Sequence, residues 1–251
     1  MIDKPQNNSV RYIPFKNREP LTPVAPQWNF YVGERYLGDI DTVKLGNFLL
    51  SKEEEVLSKD DTDSLMKGYV SDKDGNLTAG TTNALGSYNL FKWDNSEIKK
   101  LKDSISEFHK QYCIDCLNIP PFNVNILGWM NIMRKGSNLT KHTHGFDSAS
   151  YISGNFVVAC DNTNTIYLNP YEHDHVDNLM LSINAGENVN DEGSQRVYVT
   201  DNMNGVLALF PSYVPHWTTK NESNNERITL AFDLTPFNRA FHENPLPYIP
   251  L

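Results

Sequence analysis

The chain has seven histidines, and where they fall is its first chemical signal. His142 and His144 lie in Thr140-Lys-His-Thr-His-Gly145, just after a strand-like run. In an extended backbone, residues i and i+2 point to the same face, so these two imidazoles can chelate one metal ion. Two ligands rarely suffice, and a third should arrive from elsewhere in the fold. His216 is the best candidate, because it closes the run Gly205-Val-Leu-Ala-Leu-Phe-Pro-Ser-Tyr-Val-Pro-His216, an apolar strand ending in a proline-flanked turn. The next run opens Arg227-Ile-Thr-Leu-Ala-Phe-Asp-Leu234. Arg227 and Thr229 share a face of that largely apolar strand, so the guanidinium is expected to be buried. A buried guanidinium needs an anionic partner. A dicarboxylic cosubstrate would supply one, gripped by two parallel hydrogen bonds from Arg227, with the Thr229 hydroxyl adding a third.

The remaining reactive residues read as structural. A second H-x-H, His173 and His175, sits among Glu172, Asp174 and Asp177. That setting suits a solvated loop, with another metal pair or a place on the substrate side as the functional alternatives. His109 falls within a helix and His242 near the C-terminus. Cys113 and Cys116 form a C-x-x-C, but no second pair follows and no βαβ context surrounds it. The three cysteines of the chain therefore read as ordinary thiols and not as a disulfide framework. No Gly-x-Ser-x-Gly elbow, phosphate-binding glycine loop or dinucleotide fingerprint occurs.

These residues need elements to position them. Residues 1–28 hold Pro5, Pro14, Pro20, Pro23 and Pro26 and read as an extended arm over the surface. A short strand is expected over 39–45, then a helix beginning at Ser51 with Glu54 completing a capping box. Residues 60–87 read as a long loop on the substrate side, and 88–93 as a strand. The clearest helix spans 96–117, capped by Asn95 or Asp94, striped by Ile98, Leu101, Ile105, Phe108, Tyr112 and Cys116, and ended by Pro120 and Pro121. Beyond it, strand-like runs cover 123–134, 149–159, 165–168, 179–184, 195–200, 205–210 and 227–234. Short strands divided by Gly, Asn and Asp suggest an antiparallel sandwich or barrel. A helical front (40–120) and a β core (121–236) then form one domain over 29–251, because neither half closes a core of its own.

Composition sets outer bounds. With 251 residues, 39% hydrophobic and 11% aromatic, the chain can bury a sizeable core. A net charge of −9 argues against a broad phosphate-backbone footprint, so nucleic acid is not expected as a partner. The sequence has no apolar run long enough to span a membrane, and Met1–Val10 lacks the apolar centre of a secretion signal. A cytoplasmic protein is expected.

H-x-H, a distant His, and Arg-x-Thr on the following strand together resemble the iron(II)- and 2-oxoglutarate-dependent oxygenases. Trp129-Met-Asn131, His142-Thr-His144, the Ser153-Gly154-led strand and Phe210-Pro-Ser-Tyr-Val-Pro-His216 are similar, in order and spacing, to one branch that includes marine bacterial and phage proteins. The resemblance covers roughly residues 90–235. It implies a mainly β, double-stranded β-helix (jelly-roll, cupin-like) core with flanking α-helices. It also implies iron(II) at His142, His144 and His216, and 2-oxoglutarate at Arg227 with Thr229 and, more loosely, Asn131. The partners implied are 2-oxoglutarate, oxygen and a substrate that no motif identifies, with a homodimer as a further possibility. A viral origin would place the protein in the cytoplasm of an infected cell. The sequence departs from most of the superfamily in one respect: His144 stands where Asp or Glu usually completes the ligand set. Asp147 is the alternative ligand. Two rival readings stand beside this one. The first is a metal-binding cupin-like module without turnover. The second is a three-histidine dioxygenase that does not use 2-oxoglutarate.

Overall fold

A computed structural model describes residues 5–16, 29–57, 69–71, 77–81, 89–144, 150–170, 197–201, 203–236 and 248–251. Its strands are β1 (Val10–Lys16), β2 (Asn29–Tyr36), β3 (Tyr69–Ser71), β4 (Leu77–Thr81), β5 (Val124–Met133), β6 (Ile152–Ala159), β7 (Thr165–Leu168), β8 (Val197–Val199), β9 (Val206–Pro211), β10 (His216–Thr218), β11 (Arg227–Pro236) and β12 (Ile249–Pro250). Two helices, α1 (Thr42–Leu57) and α2 (Ser96–Tyr112), come from the front of the chain. Among the described residues, the large sheet runs β1-β2-β9-β6-β11-β5-β4-β3, with β12 beside β5, and a small sheet runs β10-β7-β8. The described pairings are antiparallel, as the turn-divided strand pattern predicts.

Strand alternation gives the large sheet two unlike faces. On β11, Ile228, Leu230, Phe232 and Leu234 point one way and are buried. They join Ile126, Met130 and Ile132 of β5, Ile152, Phe156 and Val158 of β6, and Leu207 and Leu209 of β9 in one apolar cluster. The stripe of α2 (Ile98, Leu101, Ile105, Phe108 and Tyr112) and Leu45 and Leu49 of α1 complete that cluster. Each such side chain contributes about 2 kcal/mol of transfer free energy on burial. The helices are therefore held by the sheet's outer face, which leaves its inner face to the small sheet. Tyr167 and Tyr198 of the small sheet pack there on Phe210, Val32 and Phe15.

Several local expectations change. Val10–Lys16 is not a free arm but edge strand β1, paired along its length with β2. Pro14 fits because it sits on the sheet's outermost strand. No strand forms over 39–45; instead α1 begins at Thr42. Asp41 caps it, its Oδ1 accepting from the Lys44 amide at 2.9 Å. Ser51 is then an interior residue whose hydroxyl donates to the Phe48 carbonyl at 2.7 Å. Residues 90–92 form a 3₁₀ turn rather than a strand, capped by Asn89, whose side chain also bonds Ile126 and Gly128 of β5. Asn95 caps α2 through the amides of Glu97 and Ile98. The helix ends in a π-type turn, Cys113–Leu117, closed by left-handed Asn118. Cys113 is buried and Cys116 half-buried, and both are free thiols. The expected strand at 179–184, most of the 60–87 loop, and His173, His175 and His242 lie outside the described residues.

Two predictions follow from packing and burial. A Cβ on Gly154 would lie 2.3 Å from Phe232 Cζ and 2.5 Å from the Ala208 carbonyl oxygen, whereas one on Gly46 in α1 would meet nothing nearer than Val158 Cγ1 at 3.6 Å. In urea unfolding, Gly154→Ala should cost about 2 kcal/mol or more. Gly46→Ala should gain roughly 0.5–1 kcal/mol. Like signs for the two would contradict this packing. His109 is buried in α2, bonded to the Tyr151 hydroxyl and 3.4 Å from Cys113 Sγ. Burial, with Lys110 adding to it, pushes its pKa down to about 4. Unfolded histidine titrates near 6.5. Between about pH 6.5 and 4 the unfolded chain therefore takes up the proton more readily, and His109 destabilises the fold as pH falls. The melting temperature of metal-free protein should drop less across that window in His109→Gln than in wild type. Parallel pH profiles would refute it.

Candidate metal centre and cosubstrate cleft

The H-x-H segment is brought to its partner by backbone pairing. The His142 amide donates to the His216 carbonyl and the His216 amide to the His142 carbonyl, each at 3.0 Å, so the segment lies against the free edge of β10 as a further antiparallel strand. The bond from the Thr218 amide to the Leu139 carbonyl (3.2 Å) extends this ladder, and the bond from the His144 amide to the Ser212 carbonyl (2.9 Å) anchors its far end. Alternation then turns His142 and His144 to the same side as His216. The ring centroids are 4.3 Å apart for His142 and His216, 5.0 Å for His144 and His216, and 5.3 Å for His142 and His144. The three ligand atoms lie within 4.8 Å of one another, a spread that one ion closes with small ring rotations.

The hydrogen bonds select the ligating tautomer. His142 Nδ1 lies 2.7 Å from the Thr140 carbonyl, His216 Nδ1 3.0 Å from the Val214 carbonyl, and His144 Nδ1 2.8 Å from Asp233 Oδ1. Carbonyl and carboxylate oxygens only accept, so each Nδ1 donates its hydrogen and Nε2 carries the lone pair. Burial pushes the His142 pKa down, and pushes that of His216 well down, with the neighbouring imidazoles adding to the latter. Neutral, Nε2-presenting imidazoles are the form a divalent cation requires. The walls are aromatic: Trp129 stands 5.5 Å from His144, and Phe210 stands 4.8 Å from His216.

The inner face of β11 carries Arg227, Thr229, Ala231 and Asp233 in alternate positions. Arg227 is 2% exposed. Its Nη2 donates to Thr165 Oγ1 at 2.9 Å, its Nη1 approaches Thr229 Oγ1 at 3.5 Å, and its Nε has no hydrogen-bond partner. Among the described residues no carboxylate pairs with it. Burial pushes its pKa down from the ordinary arginine value, while Cys160 and Tyr167 act the other way. A guanidinium nonetheless stays charged in proteins, so the buried charge calls for an anion. Asn131 is buried on the same face, directly opposite Thr229 in the β5–β11 register. Thr218, two residues beyond His216 on β10, stands opposite Thr165. The small sheet thus links the guanidinium to the histidine cluster.

The structure brings together all the described candidates: His142, His144 and His216 at one end of the inner face, and Arg227, Thr229 and Asn131 further along it. Asp147 lies outside the described residues. Reading the sequence missed Thr165 and Asp233. Asp233 had a signal, because it continues the alternation that begins at Arg227. Thr165 had none, because its place depends on how two separate sheets face each other.

Comparison with known proteins agrees with this geometry. Residues 128–233 match the family described as "Putative 2OG-Fe(II) oxygenase", a segment that holds all three histidines, Asn131, Arg227 and Thr229. The match is to that family as a whole and does not separate a marine or phage branch. No curated protein matches the chain. Among solved structures, the fold is similar to that of the epimerase SnoN in complex with Fe3+, alpha ketoglutarate and nogalamycin RO, at 7% identity and a TM-score of 0.52, over 85% of this chain and 82% of that one. AviO1 from Streptomyces viridochromogenes Tue57 aligns at 14% identity and a TM-score of 0.49, over 83% of this chain and 87% of that one. The chain thus has a double-stranded β-helix core, and its site-bearing segment, residues 128–233, is similar to the 2OG-Fe(II) oxygenase family.

Proposed function

We propose that His142, His144 and His216 hold one iron(II) ion through their Nε2 atoms, and that Arg227 binds the distal carboxylate of 2-oxoglutarate with the hydroxyls of Thr165 and Thr229. The observation that carries the cosubstrate reading is the buried, carboxylate-free guanidinium of Arg227 on the sheet face that leads to the histidine cluster. A bare metal-binding barrel has no use for that charge; a three-histidine dioxygenase without 2-oxoglutarate would need an anionic substrate there, and oxygen uptake with and without 2-oxoglutarate separates the two.

The donor set fits the metal. Three imidazoles converge with their Nδ1 hydrogens already committed to other acceptors. Imidazole suits iron as it suits zinc and copper, so the oxygenase assignment rests on the family and on Arg227 rather than on the histidines alone. His144 is the reading favoured over Asp147 for the third ligand, because its ring is already turned towards the other two. Bound iron and cosubstrate would supply oxidative decarboxylation of 2-oxoglutarate by dioxygen, one oxygen atom entering succinate as carbon dioxide leaves and the other hydroxylating a substrate C–H bond. The chain's own contribution is positioning and exclusion of water. Arg227 orients the cosubstrate's far end, Asn131 lines its path, and Trp129 and Phe210 wall the imidazoles. The sequence segments 60–87 and around His173 are our candidates for the side the substrate enters from.

Anaerobic titration tests this reading. Iron(II) with 2-oxoglutarate should give a visible charge-transfer band in wild type. Arg227→Ala should weaken 2-oxoglutarate binding roughly 100-fold, as expected for losing charge-assisted bonds to a carboxylate. A band of unchanged affinity in the variant would contradict the assignment. Arg227→Leu also separates function from folding: it should lose the cosubstrate yet leave metal-free protein at least as thermally stable, because it removes a buried charge with no carboxylate partner among the described residues. A large loss of stability would mean that Arg227 is structural.

A further inference from the structure

Asp233 is a charged group on the inner face of β11 that the reading above does not use. β11 alternation brings it inward, where it is 6% exposed. Its Oδ1 takes two hydrogen bonds, from His144 Nδ1 at 2.8 Å and from Ser153 Oγ at 2.5 Å. Among the described residues no lysine or arginine pairs with it. Ser153 Oγ lies 2.9 Å from Ser212 Oγ, which lies 2.6 Å from Ser150 Oγ, and the Ser212 carbonyl accepts from the His144 amide at 2.9 Å. A chain of hydroxyls therefore ties the carboxylate to the backbone that carries His144. His142 and His216 are treated differently, since each gives its Nδ1 hydrogen to a neutral backbone carbonyl. A buried carboxylate whose described partners are an imidazole and a hydroxyl is costly unless a cation stands nearby.

We propose that Asp233 is a positioning residue of the metal centre: it fixes the His144 ring and supplies, one imidazole away from the ion, the negative charge that a ligating carboxylate would otherwise bring. This rests on the metal reading of the preceding subsection. His144 occupies the position where an acid would ligate directly. Its bond to Asp233 moves that charge outward without removing it from the site. A carboxylate behind a ligating histidine both orients the ring and makes it a stronger donor. Asp233 is thereby assigned to iron affinity and not to holding the fold together.

The test is Asp233→Asn, which keeps an acceptor oxygen for His144 and the same volume while removing the charge. Iron(II) affinity, measured anaerobically by competition against a chelating dye, should fall about 10–100-fold. Zinc(II), as a redox-inert probe, should lose affinity in the same direction. The reduction potential of the bound iron should rise, because a negative charge that favours iron(III) is gone. Thermal unfolding of metal-free Asp233→Asn should match wild type or exceed it. Asp233→Glu, which restores the charge, should recover part of the affinity and carries the test if the Asn variant does not fold. Unchanged iron affinity in the Asn variant overturns the proposal. So does a destabilised metal-free protein whose folded fraction binds iron as wild type does, since that marks a structural carboxylate. Wild type that takes up no iron is a different failure: it removes the metal reading itself, and the role of Asp233 with it.

Discussion

The whole arrangement depends on two-residue alternation along β11. Ile228, Leu230, Phe232 and Leu234 face the helices, while Arg227, Thr229, Ala231 and Asp233 face the small sheet. A one-residue slip would bury three polar or charged side chains, Arg227, Thr229 and Asp233, under α1 and α2 and turn the apolar set into the cleft. Register is held by long antiparallel pairing with β5 on one side and β6 on the other. The outer face fixes the inner one: apolar packing beneath the helices leaves the polar set nowhere to go but the cleft.

The second constraint is electrostatic. A divalent cation needs neutral imidazoles that present the correct nitrogen, and it is better held where some negative charge is near. Burial keeps His142 and His216 from protonating, while carbonyls and one carboxylate take the Nδ1 hydrogens. The histidine cluster and Arg227 are both positive-charge problems in a low-dielectric space. In the reading proposed above, each is relieved by an acceptor: Asp233 behind His144, and an incoming carboxylate at Arg227. That division gives one face room for a cation at one end and a dianion reaching towards it from the other.

Much of this was legible in the sequence. The spacing of His142 and His144 shows a shared face, and Arg227-Ile-Thr shows a guanidinium and a hydroxyl on one face, because side-chain direction in a strand is a local property. The α2 stripe and its Asn95 cap are local in the same sense. What escaped was set by distant pairing or by turn chemistry. Val10–Lys16 looks like a proline-marked arm until β2 supplies its partner. Residues 39–45 look extended until Asp41 caps a helix there. Thr165 reaches Arg227 only because the two sheets face each other. Asp233 was visible as the next alternate residue on β11, but its purpose appears only once His144 is seen against it.

The central claim is that three imidazoles share one iron. X-ray absorption on anaerobically iron(II)-loaded protein tests it most directly, since imidazole rings leave a characteristic outer-shell scattering pattern. Three imidazoles per iron in wild type, and two in His144→Ala, are the expected results. Two imidazoles in both proteins would contradict the three-histidine centre and return the third position to a carboxylate such as Asp147.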